Sequence, residues 1–405
     1  MSLSEQQKIY LDNAATSWPK PEAVYKTIDG YMRTVGASAG RGAYREAAEA
    51  EEILESVRRK ILILLGGDGH PAPGRVVFTL NATDAINLAL KGILRDGDHV
   101  VTTCLDHNSI LRPLHALESA GRITVTRVAC AADGRVDAGD VERAVTARTR
   151  MIATLHASNI LGTLNPVEEI GRIARERQIL FLLDAAQTMG SRPVVPREIG
   201  ADLVAFPGHK GLLGPLGTGG LYFDERVEIA PLREGGTGSR SESEVQPDDY
   251  PDRWEAGSHN LPGIVGLGAG VDYILERGID EIHGEKDRLA RSFLRGLERI
   301  DGIRLYGPRD GAQREAVFSL NVAGADPHEL GAFLDGQFQI KGRAGLHCAP
   351  LAHRAAGTIE TGSYRLSFGP LNGQGDVEAS LHALESAAGE FASLSASLAK
   401  TTGPK

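Results

Sequence analysis

The stretch Ile179-Leu180-Phe181-Leu182-Leu183-Asp184-Ala185-Ala186-Gln187 decides the fold class. Five apolar residues in a row, without polar alternation, read as a strand buried on both faces. Upstream of it, Val167–Arg177 carries apolar residues at helical spacing, and Met151–His156 is another strand-like run. Leu203–Phe206 follows it. Further upstream the alternation repeats: strand Arg75–Leu80 with helix Ala82–Leu94, then strand His99–Cys104 with helix Ser109–Ser119. Repeated strand–helix units predict parallel crossovers and an α/β, doubly wound, mostly parallel sheet.

The C-terminal third has a different pattern. A long charged amphipathic helix, Asp280–Ile300, precedes strands near Ile303–Tyr306, Ala316–Val322 and Gln339–Lys341. A helix at Pro327–Gly336 lies between the last two. Tyr364–Phe368 and a helix at Asp376–Phe391 follow, and the polar tail Ser393–Lys405 is expected to fray. This predicts a large domain over residues 1–265 and a smaller α+β domain over residues 266–405.

A chain of 405 residues suits two domains. Its 49 glycines exceed the usual ~7% and cluster in short runs, as in a chain rich in tight turns. A net charge of −9 argues against a non-specific nucleic-acid binder. No run approaches the ~20 apolar residues of a membrane span. Met1–Gln7 is polar and lacks the apolar core of a signal peptide, so a cytoplasmic location is expected. Cys104, Cys130 and Cys348 contain no CxxC pair. That argues against a disulfide framework or a structural metal site, and the odd count leaves room for a reactive thiol.

Open parallel sheets bind ligands at the carboxyl ends of their strands. Asn81-Ala82-Thr83-Asp84, Asp106-His107, Asn159, Asp184–Gln187 and Pro207-Gly208-His209-Lys210-Gly211 all follow predicted strands. No GxxxxGK[ST] loop and no GxGxxG after a strand is present, so the main nucleotide signals are missing. Lys210 sits in a glycine-rich turn. A free lysine is neutral roughly once in a thousand at pH 7, whereas burial or a nearby cation lowers its pKa and makes it a Schiff-base nucleophile. Asp184 could be a ribose or metal ligand, a cap or an ion-pair partner. Opposite a Schiff-base lysine it would keep a pyridine nitrogen protonated. Gln187 could donate to a ring hydroxyl or be a solvated helix residue. His107 could stack on a planar ring and shuttle protons, or be structural. The helix opening at Ala82–Thr83 offers a phosphate seat, although a simple cap by Asn81 or Thr83 also fits.

Taken in order, these segments resemble the class V aminotransferase group of pyridoxal 5'-phosphate (PLP) enzymes, specifically the cysteine desulfurases and selenocysteine lyases. The markers are Tyr-Leu-Asp-Asn-Ala-Ala-Thr (10–16), Asn-Ala-Thr-Asp-Ala-Ile-Asn (81–87), Asp-His-Asn-Ser (106–109), Ser-Asn-Ile-Leu-Gly-Thr (158–163), Asp-Ala-Ala-Gln (184–187), Gly-His-Lys (208–210), Glu-Ala-Gly-Ser-His-Asn (255–260) and Arg-Ala-Gly-Leu-His-Cys-Ala (343–349). The resemblance spans Tyr10 to about Phe391 and implies the PLP-dependent transferase fold (fold type I), with the first ~15 residues packed on the small domain.

The resemblance implies that Lys210 carries PLP, Asp184 pairs with the ring nitrogen, Gln187 contacts the ring oxygen and His107 stacks on the ring. Thr83, His209 and the amides near Ala82 hold the phosphate, with Ser258 reaching in from the other subunit of a homodimer. Asn159 contacts the ring oxygen or the substrate, and Arg365 grips the substrate carboxylate with Asn13 nearby. The implied substrate is L-cysteine or selenocysteine. Cys348 is the nucleophile that keeps a persulfide for a sulfur-acceptor protein, and His347 or Arg343 could raise its thiolate fraction. Pro207, Ala82 and Ser258 depart from the family's usual hydroxyl residues. A selenocysteine lyase or another class V lyase or aminotransferase stays open from the sequence. So does a non-catalytic sulfur-transfer scaffold. The polar loop at residues 235–244 could cover the site.

Overall fold

The computed structural model describes residues 8–40, 42–66 and 74–401. The polar segment Met1–Gln7 lies outside them. The chain opens with β1 (Ile9–Tyr10), α1 (Glu22–Thr34) and α2 (Arg45–Gly66). The alternating region then runs β2 (Arg75–Thr79), α3 (Ala82–Ile93), β3 (His99–Thr103), α4 (Asn108–Ser119), β4 (Thr124–Val128) and α5 (Ala138–Ala144). It continues β5 (Thr149–Leu155), α6 (Val167–Glu176), β6 (Leu180–Asp184), α7 (Pro196–Ile199), β7 (Leu203–Pro207) and β8 (Gly219–Phe223). These strands form one seven-stranded sheet in the order β2-β8-β7-β6-β5-β3-β4.

Strands β4, β3, β5, β6 and β7 are parallel, while β8 runs antiparallel to both β7 and β2. The sheet is mixed but mostly parallel, and helices cover both faces. Residues 181–183 of β6 are fully buried, as the unbroken apolar run requires. The crossovers put the carboxyl ends of β3, β5, β6 and β7 on one edge.

Helices α8 (Leu261–Arg277) and α9 (Ile279–Leu297) link the two halves. The expected boundary at 265 falls inside α8, whose buried residues belong to the large core together with those of α2. The physical reason is its glycines. A Cβ at Gly266 would lie 2.6 Å from Ile28 of α1, and one at Gly270 would lie 2.3 Å from the Leu212 carbonyl. Only glycine lets α8 press this closely on α1 and on the turn that carries Lys210.

The small unit contains β9 (Ile303–Tyr306), β10 (Val317–Val322), α10 (Pro327–Phe338), β11 (Ile340–Lys341), β12 (Arg343–Gly345), α11 (Pro350–Ala355), β13 (Ser363–Ser367) and α12 (Gln374–Thr401). Its sheet is ordered β12-β13-β10-β9. Helix α12 continues ten residues past the helix end expected at Phe391 and absorbs most of the tail expected to fray. Residues 402–405 lie outside the described residues. The N-terminal segment joins this unit: β1 pairs in parallel with β11, and Leu11 is buried in the small core.

One buried ionic cluster ties the halves together. Arg192 and Lys286 reach the Glu315 carboxylate at 2.8 and 2.9 Å. Burial alone would raise Glu315, but the two cations pull it down to about 2.

Candidate active site

The strand ends surround a cavity of about 310 Å³. The large half supplies Asn81, Ala82, Thr83, His107, Ser109, Asn159, Asp184, Gln187, Pro207, His209 and Lys210. The small half supplies Arg343, His347, Cys348 and Arg365, and the N-terminal segment adds Ala14 and Ala15.

Asp184 ends β6 and is buried, with Oδ1 accepting a hydrogen bond from Ala186 N at 2.9 Å. Burial raises its pKa to about 6. Lys210 lies in the turn between β7 and β8. Burial lowers its pKa to about 8 against the pull of Asp184. The acid is thus held without enough compensating charge and the base is poised near neutrality, a pairing that belongs to functional sites more than to structural ion pairs.

His107 caps α4. Ser109 N donates to its Nδ1 at 3.1 Å, which leaves the ring proton on Nε2. Burial, then the nearby Lys210 and Arg112 charges, push its pKa down to about 4, so the ring is neutral at pH 7. Gln187 Nε2 donates to the Ala14 carbonyl at 3.0 Å. Asn81 caps α3 by accepting from Asp84 N. The amides of Ala82 and Thr83 are the first-turn donors of that helix, which have no intrahelical acceptor.

The His209 carbonyl accepts from Ser17 N, Thr16 Oγ1 and Lys20 Nζ, each at 3.0 Å, and Ser17 Oγ donates to the Lys210 carbonyl at 2.8 Å. The N-terminal segment therefore clamps the lysine turn. Sequence reading missed this clamp, although Thr16 ends the Tyr10–Thr16 motif.

On the small side, Cys348 sits between β12 and α11 and is exposed. His347 and Cys348 have φ of +50° and +60°. Two successive non-glycine residues in the left-handed region cost on the order of 1–3 kcal/mol each unless their surroundings hold them. Asn159 Nδ2 donates to the His347 carbonyl at 2.7 Å, and Asn108 N donates to the Cys348 carbonyl at 2.9 Å. Burial, reinforced by Arg365, pushes His347 down to about 3. The His347 ring is thus neutral, so of the two groups expected to raise the thiolate fraction Arg343 is the one that carries charge, and it lines the same cavity as Cys348.

Arg365 is buried on β13. Its Nη1 donates to the Asn159 carbonyl at 3.1 Å and its Nη2 to Asp12 Oδ1. Two of its five N–H donors are thus engaged, and Nε is the Arg365 nitrogen without a partner. Nε and the remaining Nη hydrogens are the donors left for a carboxylate.

Three segments singled out in the sequence lie outside this cavity, among them Ser258, expected to reach the site of the other subunit. Asn13 lines an adjoining small cleft, donating to the Ser367 carbonyl at 3.0 Å and to Asn372 at 3.1 Å. Ser258 lines another cleft with Thr79, Leu80 and His259, beyond the β2–α3 turn. Residues 235–241 and 243–244 line a separate groove with Gly40. The cysteine expectation also changes. Cys104 and Cys130, at the ends of adjacent strands β3 and β4, form a disulfide with Cα atoms 6.2 Å apart, leaving Cys348 as the free thiol among the described residues. Spacing could not reveal this pair, because strand adjacency, not a CxxC repeat, creates it.

The chain is similar to curated proteins of known family. A probable cysteine desulfurase of Methanothermobacter thermautotrophicus is 38% identical, with 92% of this chain and 90% of that protein covered. A probable cysteine desulfurase of Pyrococcus abyssi is 34% identical over 94% of both chains. The apo structure of a cysteine desulfurase from Thermococcus onnurineus superposes with a TM-score of 0.86 at 32% identity, covering 95% of each chain. No helix among the described residues is long and apolar enough to cross a membrane. The class-V aminotransferase family model matches residues 9–379, which include every cavity residue named above, and the chain belongs to that family.

Proposed function

We propose that this protein is a PLP-dependent cysteine desulfurase that transfers the sulfur of L-cysteine to Cys348 and releases L-alanine. The observation that carries the reading is that Lys210, Asp184, His107 and the free thiol Cys348 line one cavity. The residues fit PLP. Asp184 is a buried acid that lacks a contacting cation, and His209 Nδ1, Asn159 Oδ1 and Arg365 Nε are buried without partners. A protonated pyridine nitrogen, a phosphate and an amino-acid substrate have complementary groups for such atoms. Bound here, the cofactor would supply an electron sink that makes the substrate α-proton removable and weakens the bond to sulfur.

The chain's own groups do the rest. Lys210 would hold the cofactor and, once displaced, take and return a proton at Nζ, a task suited to a pKa near 8. Asp184 would stay ionised against the ring nitrogen. His107, neutral with its proton on Nε2, would lie against the ring as a donor without a competing charge. Ala82, Thr83 and His209 would hold the phosphate, with Ser258 contributed by a second copy in a homodimer. Asn159 and Gln187 would face the ring oxygen, and Arg365 would receive the substrate carboxylate. Asn13 would act indirectly, by fixing the N-terminal segment. The Cys348 thiolate attacks the substrate sulfur. The new S–S bond forms as the C–S bond breaks, the bonding pair stays with carbon, and protonation yields alanine. Thiol and cysteine become persulfide and alanine with no external oxidant. A second protein thiol or a reductant then accepts the sulfur.

The test is to measure alanine and sulfide from L-cysteine with reductant present. Cys348→Ser is expected to keep the visible absorbance of bound cofactor and to lose sulfide release by about 10²-fold or more. Undiminished release would refute the persulfide route. Colourless protein that Lys210→Ala leaves unchanged would favour a non-catalytic scaffold.

A further inference from the structure

Behind Cys348 two buried imidazoles stand in line. His347 Nδ1 is 3.5 Å from His353 Nε2, and the ring planes are within 15° of parallel with centroids 5.7 Å apart. The centroid separation exceeds the nitrogen–nitrogen distance by about one ring width, so the rings meet edge to edge in plane and are not stacked face to face. The outer nitrogens are also engaged. His347 Nε2 lies 2.9 Å from the Arg343 carbonyl, and His353 Nδ1 lies 2.7 Å from Thr358 Oγ1.

The Arg343 carbonyl sets the order of the protons along this chain. A carbonyl only accepts, so His347 carries its proton on Nε2 and its Nδ1 is an acceptor. His353 must then donate from Nε2, and its Nδ1 must accept from the Thr358 hydroxyl. The chain runs one way: Thr358 to His353, His353 to His347, His347 to the Arg343 carbonyl. A second proton on His347 would set donor against donor at the imidazole junction. A second proton on His353 would turn the Thr358 hydroxyl from donor to acceptor, with the His353 carbonyl 3.4 Å away as its alternative acceptor. Both rings are pushed below their ordinary pKa by burial, to about 3 for His347 and about 4 for His353, where a hydrogen bond to the Leu346 carbonyl opposes the shift.

We infer that His353 is a positioning residue for Cys348: through His347 it locks the left-handed 347–348 turn that presents the thiol to the cavity. The turn needs such a lock because neither residue is glycine. Asn159 and Asn108 hold its two carbonyls from the large half, and the imidazole chain holds the His347 side chain from the small half. His353 itself is fully buried in α11 and absent from the cavity wall, so it acts through His347 alone. The role of the thiol rests on the reaction proposed above, but the lock does not.

The first test is ring tautomer. Long-range ¹⁵N–¹H spectra of labelled protein at pH 7 should show both rings neutral and protonated on Nε2, assigned with His347→Gln and His353→Gln. A proton on Nδ1 of either ring, or an imidazolium, overturns the inference. The second test is the alkylation rate of Cys348 by iodoacetamide, followed by mass spectrometry of its peptide. His353→Gln keeps an N–H donor toward His347 and should stay within about twofold of the parent protein. His353→Leu should raise alkylation by about fivefold as the turn loosens, and lower kcat for sulfur release by roughly tenfold or more with KM nearly unchanged. Thr358→Val, close in shape, should move both in the same direction by less. Equal behaviour of the Gln and Leu variants, or no change in either, refutes the lock. Alkylation and tautomer need no turnover. Parent protein that releases no sulfide therefore refutes the reaction and leaves these tests standing.

Discussion

Lys210 and Cys348 face one cavity, yet the two walls are made differently. The lysine wall is the edge of a sheet whose strands are buried on both faces, and its polar groups stand where β3, β5, β6 and β7 end. Backbone pairing places them, and the cost of the site appears as displaced pKa values: Asp184 raised to about 6, Lys210 lowered to about 8. The cysteine wall is a short turn after the edge strand β12. Its cost appears as backbone strain at His347 and Cys348, restrained by hydrogen bonds from distant residues. One wall stores its free energy in electrostatics and the other in conformation, so they should fail in different ways when altered.

The sheet wall gives the largest expected losses. Lys210→Ala should lower sulfur release by roughly 10⁴-fold and abolish covalent cofactor retention, measured by steady-state rate and absorbance after gel filtration. Asp184→Asn separates function from stability. Its folded pKa lies above the unfolded value, so the folded acid binds more protons between about 4 and 6. That contribution is favourable at low pH and is lost as pH rises through about 6. At pH 7 the cofactor-free Asn variant should therefore melt no lower than the parent and up to a few degrees higher, while its rate falls by about 10²-fold. A large drop in melting temperature would mean that Asp184 is structural.

Titration sharpens the same wall. Lys210 has a folded pKa near 8, below its ordinary value near 10.4. The unfolded chain binds more protons across that window, so this lysine disfavours folding below pH 8 and the penalty fades as pH rises toward 10. Its nucleophilic fraction grows over a lower range. The rate at which cofactor-free protein takes up PLP should rise about tenfold per pH unit below 8 and level off above it, followed at the wavelength of the bound cofactor. A midpoint near 10 would show that Lys210 is solvated, in conflict with its place in the cavity wall.

The difference between the walls also explains what the sequence could say. Strands β3, β5, β6 and β7 are legible to within about two residues, because each carries a short β-branched or apolar run, unbroken over four residues in β6 and β7 where both faces are buried. The chemistry at their ends follows from the rule that parallel sheets bind at carboxyl ends. Strand β8 opens with Gly219-Gly220, which reads as turn, and only its pairing between β2 and β7 makes it a strand. On the cysteine wall, the residue type of Cys348 is visible but its support is not. Asn159 is 188 residues from the carbonyl it holds, and Asp12 is 353 residues from Arg365. No local pattern encodes such contacts. The neutrality of His347 is equally hidden, since a histidine beside a thiol reads as a charge donor until its burial is known.

The smallest expected effect falls on a third pair that belongs to neither wall. Cys104 and Cys130 join the ends of β3 and β4, and the 26-residue separation between them encloses α4, whose cap is His107. Neither sulfur lines the cavity. Replacing both by serine should leave sulfur release within about twofold under reducing conditions. Without reductant, the parent protein should show one reactive thiol by Ellman titration and the double variant also one, because Cys348 is common to both. Adding reductant should raise the parent count to three and leave the variant unchanged. A loop of this length contributes roughly 3 kcal/mol by restricting the unfolded chain, so the oxidised parent should melt above its reduced form by a few degrees. A large loss of activity in the reduced parent would instead tie the pair to His107. The clean separation between a scaffold disulfide and a catalytic thiol would then fail.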